Sequence, residues 1–363
     1  MEEDYIYRRL RNLRKVLGEK EREVEGFLIS NPINCRYLSG FTGSSVYLLI
    51  TMEEAFLLTD FRYREQALEE APCYSLISFQ GSLASTLESF LKKKALKKIA
   101  FEHNHLTVYW YEVLRIKLPD LELVPLHQVV EGLRTVKDVK EINLIKEAAR
   151  ITEKSYKRIL PFLKPGVGEE DVAIELDYII KKEGGRKASF DFIVASGKRS
   201  SLPHGVASGK KLEHGDMVVI DFGIYYNGYC SDMTRTVAMS HAGNSERKKY
   251  RVVLEAQKKA LEGIREGLSG EEADELARQV IIKEGWGDNF GHGLGHGVGL
   301  EVHEEPRLAP GNKNILKSGM ITTVEPGIYF PGWGGIRIED MVLISENSCE
   351  LLTGDLKEEL IVI

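Results

Sequence analysis

The 363-residue chain has only four cysteines, Cys35, Cys73, Cys230 and Cys349, and no two of them form a CxxC pair. That spacing gives neither a disulfide framework nor a thiolate zinc site. There is no basic excess: 49 lysines and arginines stand against 55 aspartates and glutamates, for a net charge of −6. With an isoelectric point near 6.0, no surface for tracking nucleic-acid phosphates is indicated. The lysines at 92–94 and 97–98 read as a solvated helix face. No apolar run approaches the ~18 residues that suggest a membrane span. The opening stretch, MEEDYIYRRLRNLRK, lacks the apolar centre of a secretory signal. The expectation is a cytoplasmic globular protein, long enough to favour two domains over one.

What is present draws attention to residues 291–306, GHGLGHGVGLEVHEEP, with five glycines alternating from Gly291 to Gly299. His292 and His296 have the four-residue spacing of a zinc-protease helix, but Gly293 stands where that motif needs glutamate. Each glycine also costs a helix about 1 kcal/mol relative to alanine. If the stretch is extended, the glycines share one face, and His292, Leu294, His296, Val298 and Leu300 share the other. A bare glycine face admits another backbone or a substrate. From this segment alone, a functional site and a flexible glycine loop with incidental histidines stand level.

Along the chain, EGFLIS, SVYLLI, EAFLLT, YSLIS and KKIAFE read as strands, and the stretches from Arg62, Ser82 and Leu106 as helices. Together they make a compact α/β domain over residues 1–125. A long amphipathic helix beginning at KDVKEINLIKEAARITEKSYKRIL then opens a second domain, 126–363. Another such helix starts after Ser245, and Ser269 with Glu272 forms the capping box of the next. The second domain repeats itself: PGVGEEDVAIELDYIIKKEGG resembles EGLSGEEADELARQVIIKEGW, and GDMVVIDFG resembles GMITTVEPG, at nearly the same offset. The second match superposes Asp221 on Glu325.

In DFGIYYNGYCSDMTRT, Asn227-Gly228 is a strong hairpin signal. With those residues as the turn, Tyr226 pairs with Tyr229, Gly223 with Asp232 and Asp221 with Thr234. Asp221 and Asp232 are then diagonal neighbours on one face, about 7–8 Å apart at the backbone. TVEPGIYFPGWGGIRIEDMVLI repeats the arrangement with a longer glycine-rich turn. Glu325 lies on its entering strand, and Arg337 and Glu339 on the returning strand share a face. Four buried carboxylates cannot all stay ionised without compensating cations. Two divalent cations balance them, and oxygen ligands with one imidazole suit manganese or a similar ion better than structural zinc.

These residues, with the motifs IDFG, SDMTRT, GHGLGH, TVEPGIY, IRIED, LPHG and RTVKDVKEI, resemble the Xaa-Pro peptidases of the pita-bread metallopeptidase family, which includes prolidase and aminopeptidase P. The motifs run from about residue 133 to the end, and NPINCRYLSGF resembles the family's smaller N-terminal domain. The implied fold is a creatinase/prolidase-like α/β N-terminal domain plus an α+β catalytic domain. The catalytic domain would have a curved, mainly antiparallel sheet and an internal pseudo-two-fold repeat.

The resemblance also implies roles. Asp221 would chelate one metal, Asp232 and Glu339 would bridge both, and His296 with Glu325 would hold the other. The metals would be two manganese ions, with cobalt or zinc as alternatives, and would hold a bridging hydroxide. His292, His303 and His204 would contact substrate or support the ligands, with His303 stabilising the tetrahedral intermediate. Glu325 would also relay a proton to the leaving nitrogen, and Arg337 would orient Glu339 or meet a substrate carboxylate. The expected activity is hydrolysis of Xaa-Pro dipeptides, because a single small N-terminal domain can wall off the space beyond the prolyl ring. An aminopeptidase P acting on longer peptides is the alternative. Methionine aminopeptidase is disfavoured by the extra N-terminal third. A creatine-hydrolysing relative and the family's non-catalytic binding proteins are disfavoured by the complete ligand set. The partners expected are a proline-containing di- or oligopeptide and a second copy of the chain, with no nucleic acid and no membrane.

Overall fold

The runs GFLI, YLLIT, AFLLTD, SLISF and KIAFE form five strands of a six-stranded sheet in the computed structural model, which describes residues 5–20, 24–354 and 357–363. The first four residues of the charged N-terminus lie outside the described residues. The strand order is 75–79, 55–60, 47–51, 26–29, 98–102, 122–126. The central strands read as unbroken apolar runs because both faces are covered: Leu48, Leu49 and Ile50 are fully buried. The edge strand Glu122–Leu126, which the strand pattern did not single out, tolerates Pro125 because an edge position needs no donor on its open side. Pro32–Ser39 is a helix with start and stop signals in place: Asn31 caps it, Pro32 opens it, and Gly40 ends it at φ 79°.

By internal packing the chain divides into Met1–Arg134 and Thr135–Ile363. The division falls after the short helix Val129–Arg134 rather than before it at 125/126. Val129 and Val130 are buried, and Arg134 donates to Asn34 at 2.9 Å, so this helix belongs to the first unit.

The second unit is built twice. Helix Val139–Ile159, begun by the Asp138/Glu141 capping box, and helix Glu169–Lys182 precede the strands Ile193–Ser196, Met217–Phe222 and Met233–Ala238. Helix Asn244–Gly263 and helix Gly270–Lys283 precede the strands Gly295–Gly297, Glu304–Leu308, Ile321–Val324 and Asp340–Ile344. The named strand pairs of this unit are antiparallel. Each half has its own core. Ile151, Leu176 and Ile180 pack with Val194, Val218 and Ile220, and Val253, Ala277 and Ile281 pack with Leu294, Val324 and Val342. Each fully buried branched aliphatic contributes about 1.5–3 kcal/mol relative to an exposed one. The halves meet where Glu339 N donates to Thr234 O at 3.1 Å and Arg337 N donates to Thr236 Oγ1 at 3.1 Å. That seam brings the two hairpins side by side.

Candidate metal centre

Asn227 at φ 46° and Gly228 at φ 101° turn the first hairpin, a left-handed pair that matches the twist of the strands. Tyr226 faces Tyr229 and Asp221 faces Thr234, as the turn predicts. The named ladders are interrupted at Ser231 and Asp232. There a Cβ on Gly223 would lie 1.8 Å from the Ser231 carbonyl oxygen. The second hairpin pairs Val324 with Asp340 and Gly327 with Arg337, a register that sets Glu325 opposite Glu339 at a similar break. Interrupted pairing releases Asp232, Glu325 and Glu339 from the ladders, whereas Asp221 stays paired with Ile193 and Thr234 at the end of its apolar strand.

His296 comes from the alternating-glycine stretch 291–299, where Gly295–Gly297 is strand, with a register shift between His296 and Gly297. The glycine face meets backbone. A Cβ on Gly295 would lie 2.1 Å from Thr323 O, and one on Gly297 would lie 2.2 Å from Glu305 O. His296 Nδ1 lies 3.1 Å from Gly297 O. A carbonyl only accepts, so Nδ1 carries the proton and Nε2 presents its lone pair to the acids. Nε2 is 3.5 Å from Glu325 Oε1 and 3.6 Å from Asp232 Oδ2. Ligand atoms of Asp232, His296 and Glu339 all lie within 4.8 Å of one another. Asp221, outside that trio, is held by Arg337 Nη2 at 2.5 Å.

Burial, and then the neighbouring carboxylates, push the Asp232 and Glu339 carboxyls well above the usual range, and burial foremost brings Glu325 up to about 8. His296 is lowered to about 4, first by burial and then by His303, so its imidazole is neutral at physiological pH. Asp221 Oδ1 and Asp232 Oδ1 are buried without a hydrogen-bond donor. Buried oxygens without donors are costly, and this set of oxygens with one neutral imidazole nitrogen fits divalent cations.

The remaining expected residues lie around this set. His303 stacks edge-on against His296 with centroids 4.2 Å apart and is exposed. His204 is also exposed. His292 has Nδ1 2.7 Å from Gly293 O and Nε2 3.0 Å from Tyr329 Oη; burial above all lowers it to about 4. Arg337 is buried and donates to Asp221, Tyr329 Oη, Pro203 O and Thr234 Oγ1. It reaches Glu339 only through Thr234, whose hydroxyl donates to Glu339 Oε2 at 2.7 Å.

Three residues beyond the predicted set belong to the site. Tyr329 links His292 to Arg337, and its period-two spacing from Glu325 was a readable signal. A Cβ on Gly327 would lie 2.6 Å from Tyr329 Oη and one on Gly335 2.7 Å from its ring, so both glycines make room for it. Thr234 was visible inside SDMTRT. Arg307, exposed and paired across strands with His296, had no local signal.

A buried carboxylate and imidazole cluster at the breaks of antiparallel hairpins is the kind of ligand set that a metal-dependent hydrolase uses. Residues 143–346 match metallopeptidase family M24, and residues 9–136 match the creatinase/prolidase N-terminal domain. An uncharacterized peptidase of Bacillus subtilis is 45% identical over 98% of this chain and 99% of its own. The structure of an Xaa-Pro dipeptidase from Bacillus anthracis superposes with a TM-score of 0.96 at 42% identity, covering 99% of this chain and 100% of that one. An X-Pro aminopeptidase from Thermotoga maritima superposes at 0.90 with 36% identity, covering 98% and 99%. The chain belongs to metallopeptidase family M24, and it is a metal-dependent peptidase with the two-domain fold of the prolidases.

Proposed function

We propose that the chain is an Xaa-Pro dipeptidase in which Asp221, Asp232, His296, Glu325 and Glu339 hold two divalent cations, manganese first and cobalt or zinc as alternatives. The observation that carries this reading is the convergence of proton-hungry buried carboxylates on the bare Nε2 of His296. Bound there, divalent cations lower the pKa of water and polarise the scissile carbonyl.

The chain's own residues supply the rest. Glu325, which holds a proton near neutral pH in the metal-free protein, would be ionised when the cations are bound, and as a carboxylate would accept the proton of the attacking water and pass it to the leaving nitrogen. That step matters before proline, because the leaving nitrogen is a tertiary amide with no hydrogen of its own. His303 lies exposed beside His296 and donates to the carbonyl oxygen as charge develops on it. Arg337 is spent on Asp221 and Tyr329, so it holds ligands in place and leaves the substrate carboxylate to Arg307. Arg307 is an exposed cation directly across from His296, suited to a free C-terminal carboxylate.

The Thermotoga maritima likeness favours the alternative, an aminopeptidase P cleaving longer peptides. Hydrolysis of an Xaa-Pro dipeptide beside its amide and an Xaa-Pro-Yaa tripeptide separates the two. A dipeptidase loses most activity when the carboxylate is blocked, and Arg307→Ala raises KM for the dipeptide alone. Equal or faster cleavage of the tripeptide overturns the dipeptidase assignment and leaves the metal chemistry standing. The four cysteines are free, two of them buried, which supports a reducing, cytoplasmic location. A homodimer is the assembly that the resemblance implies.

A further inference from the structure

We infer that Lys357, acting with Arg235 and Asp340, is a positioning residue for Glu339: together they hold the backbone that presents this carboxylate, and loosening them weakens metal binding at the proposed centre. The inference rests on the metal reading above. Asp340 is fully buried and accepts from Arg235 Nη2 at 2.7 Å, Gln257 Nε2 at 2.9 Å and Lys357 Nζ. Arg235 and Lys357 are themselves 1% and 3% exposed. Two cations on one carboxylate leave a net positive charge in the interior, which is expensive where well-packed apolar residues would do as well for stability.

Its location explains it. Arg235 Nη1 donates to Thr234 O at 2.9 Å and to Glu339 O at 2.5 Å, so one guanidinium grips the backbone on both sides of the seam between the halves. Thr234 in turn donates to the Glu339 carboxylate. The set of Lys357, Asp340 and Arg235 therefore sits one residue behind Glu339 and fixes where its carboxylate is held.

Lys357 reaches this place through the segment Lys357–Ile363. Ala238 N donates to Ile361 O and Ile363 N donates to Ala238 O, both at 2.9 Å, while Tyr250 Oη donates to Lys357 O at 2.7 Å. The segment is thereby tied to the strand Met233–Ala238, which begins directly after Asp232.

Titration of the demetallated full chain with Mn²⁺, read by the free Mn²⁺ signal in electron paramagnetic resonance, tests this together with the melting temperature of the metal-free form. Lys357→Met leaves Asp340 and Arg235 as a neutral pair. Its Mn²⁺ affinity is expected to fall about 10–100-fold, as for outer-shell partners of ligands. Its metal-free melting is expected to stay close to the parent's, and Lys357→Arg should restore affinity. Unchanged affinity in folded Lys357→Met, with only a lowered melting temperature, makes the lysine merely structural and overturns the inference. If Lys357→Met does not fold, Tyr250→Phe decides: it keeps the charges and loosens the segment, and unchanged Mn²⁺ affinity there overturns the inference equally. A parent chain that takes up no Mn²⁺ overturns the metal reading and this inference with it, whereas a binding parent matched by Lys357→Met overturns the inference alone.

Discussion

Each unit of this protein buries a carboxylate cluster, and the two clusters are finished differently. In the first unit, Glu102 is 5% exposed and its oxygens accept from Ser30 N and Asn31 N at 2.7 Å and from Asn34 Nδ2 at 2.6 Å. Asn34 then continues to Glu131 and Arg134, so the cluster closes within the chain. In the second unit, Asp221 Oδ1 and Asp232 Oδ1 have no donor. Burial raises Glu102 as well, but here burial and then neighbouring carboxylates carry Asp232 and Glu339 well above the usual range, and burial foremost brings Glu325 up to about 8. A structural cluster satisfies its acceptors with the chain's own donors, and a ligand-binding one leaves acceptors for something else.

The sharpest way to break this comparison is to neutralise one acid in each cluster. Asp232→Ala is expected to abolish peptidase activity and to lower metal content from about two ions per chain to one or fewer. Glu102→Gln leaves both unchanged and costs about 1–3 kcal/mol of stability through an imperfectly paired buried group. Metal analysis, hydrolysis rates and urea unfolding of the two variants read these outcomes, and unchanged metal content in Asp232→Ala would contradict its place among the ligands.

Chelation acts on the second cluster alone. Exhaustive removal of divalent ions is expected to eliminate hydrolysis, with Mn²⁺ or Co²⁺ restoring it best. Full activity in demetallated protein would sink the metal reading.

A smaller effect follows from proton binding. The Asp232, Glu325 and Glu339 carboxyls hold protons in the metal-free fold that they release when unfolded. Their stabilising contribution is complete below their unfolded values near 4 and is lost as pH rises through the folded ones, about 8 for Glu325. His292 and His296 act in the opposite sense: each is lowered to about 4 from 6.5, so their contribution is complete above 6.5 and lost as pH falls. Between pH 6.5 and 8 only the carboxyls change. Calorimetry across that window is therefore expected to show the metal-free melting temperature falling and its gap to the Mn²⁺-loaded form widening. A constant gap would show that the acids do not share their charge as described.

The mildest test separates a ligand from its neighbour. His292→Ala removes a partner of Tyr329 and is expected to lower turnover about 10–100-fold with metal content intact. Loss of metal in this variant would place His292 among the ligands.

Much of the site was legible because local rules carry it. A two-residue Asn-Gly turn sets its own register, which located Asp221 and Asp232 on one hairpin, and strand parity placed Glu325, Arg337 and Glu339 on the other. The internal repeat was readable because each half repeats its helix-start signals and its acid at the end of an apolar strand. The sequence by itself therefore determined the two hairpins, the duplication and the acids within each. The tertiary structure alone decided that Thr234 and Thr236 would pair with Glu339 and Arg337 across the seam, more than a hundred residues on. It also decided that Arg337 would be spent on Asp221, that Arg307 would stand across from His296, and that Lys357 would reach Asp340. The helix Val129–Arg134 joined the first unit for the same kind of reason, since Arg134 finds its partner at Asn34. Turn chemistry and side-chain period act within a few residues, whereas pairing between distant segments depends on packing and charge that no local window contains.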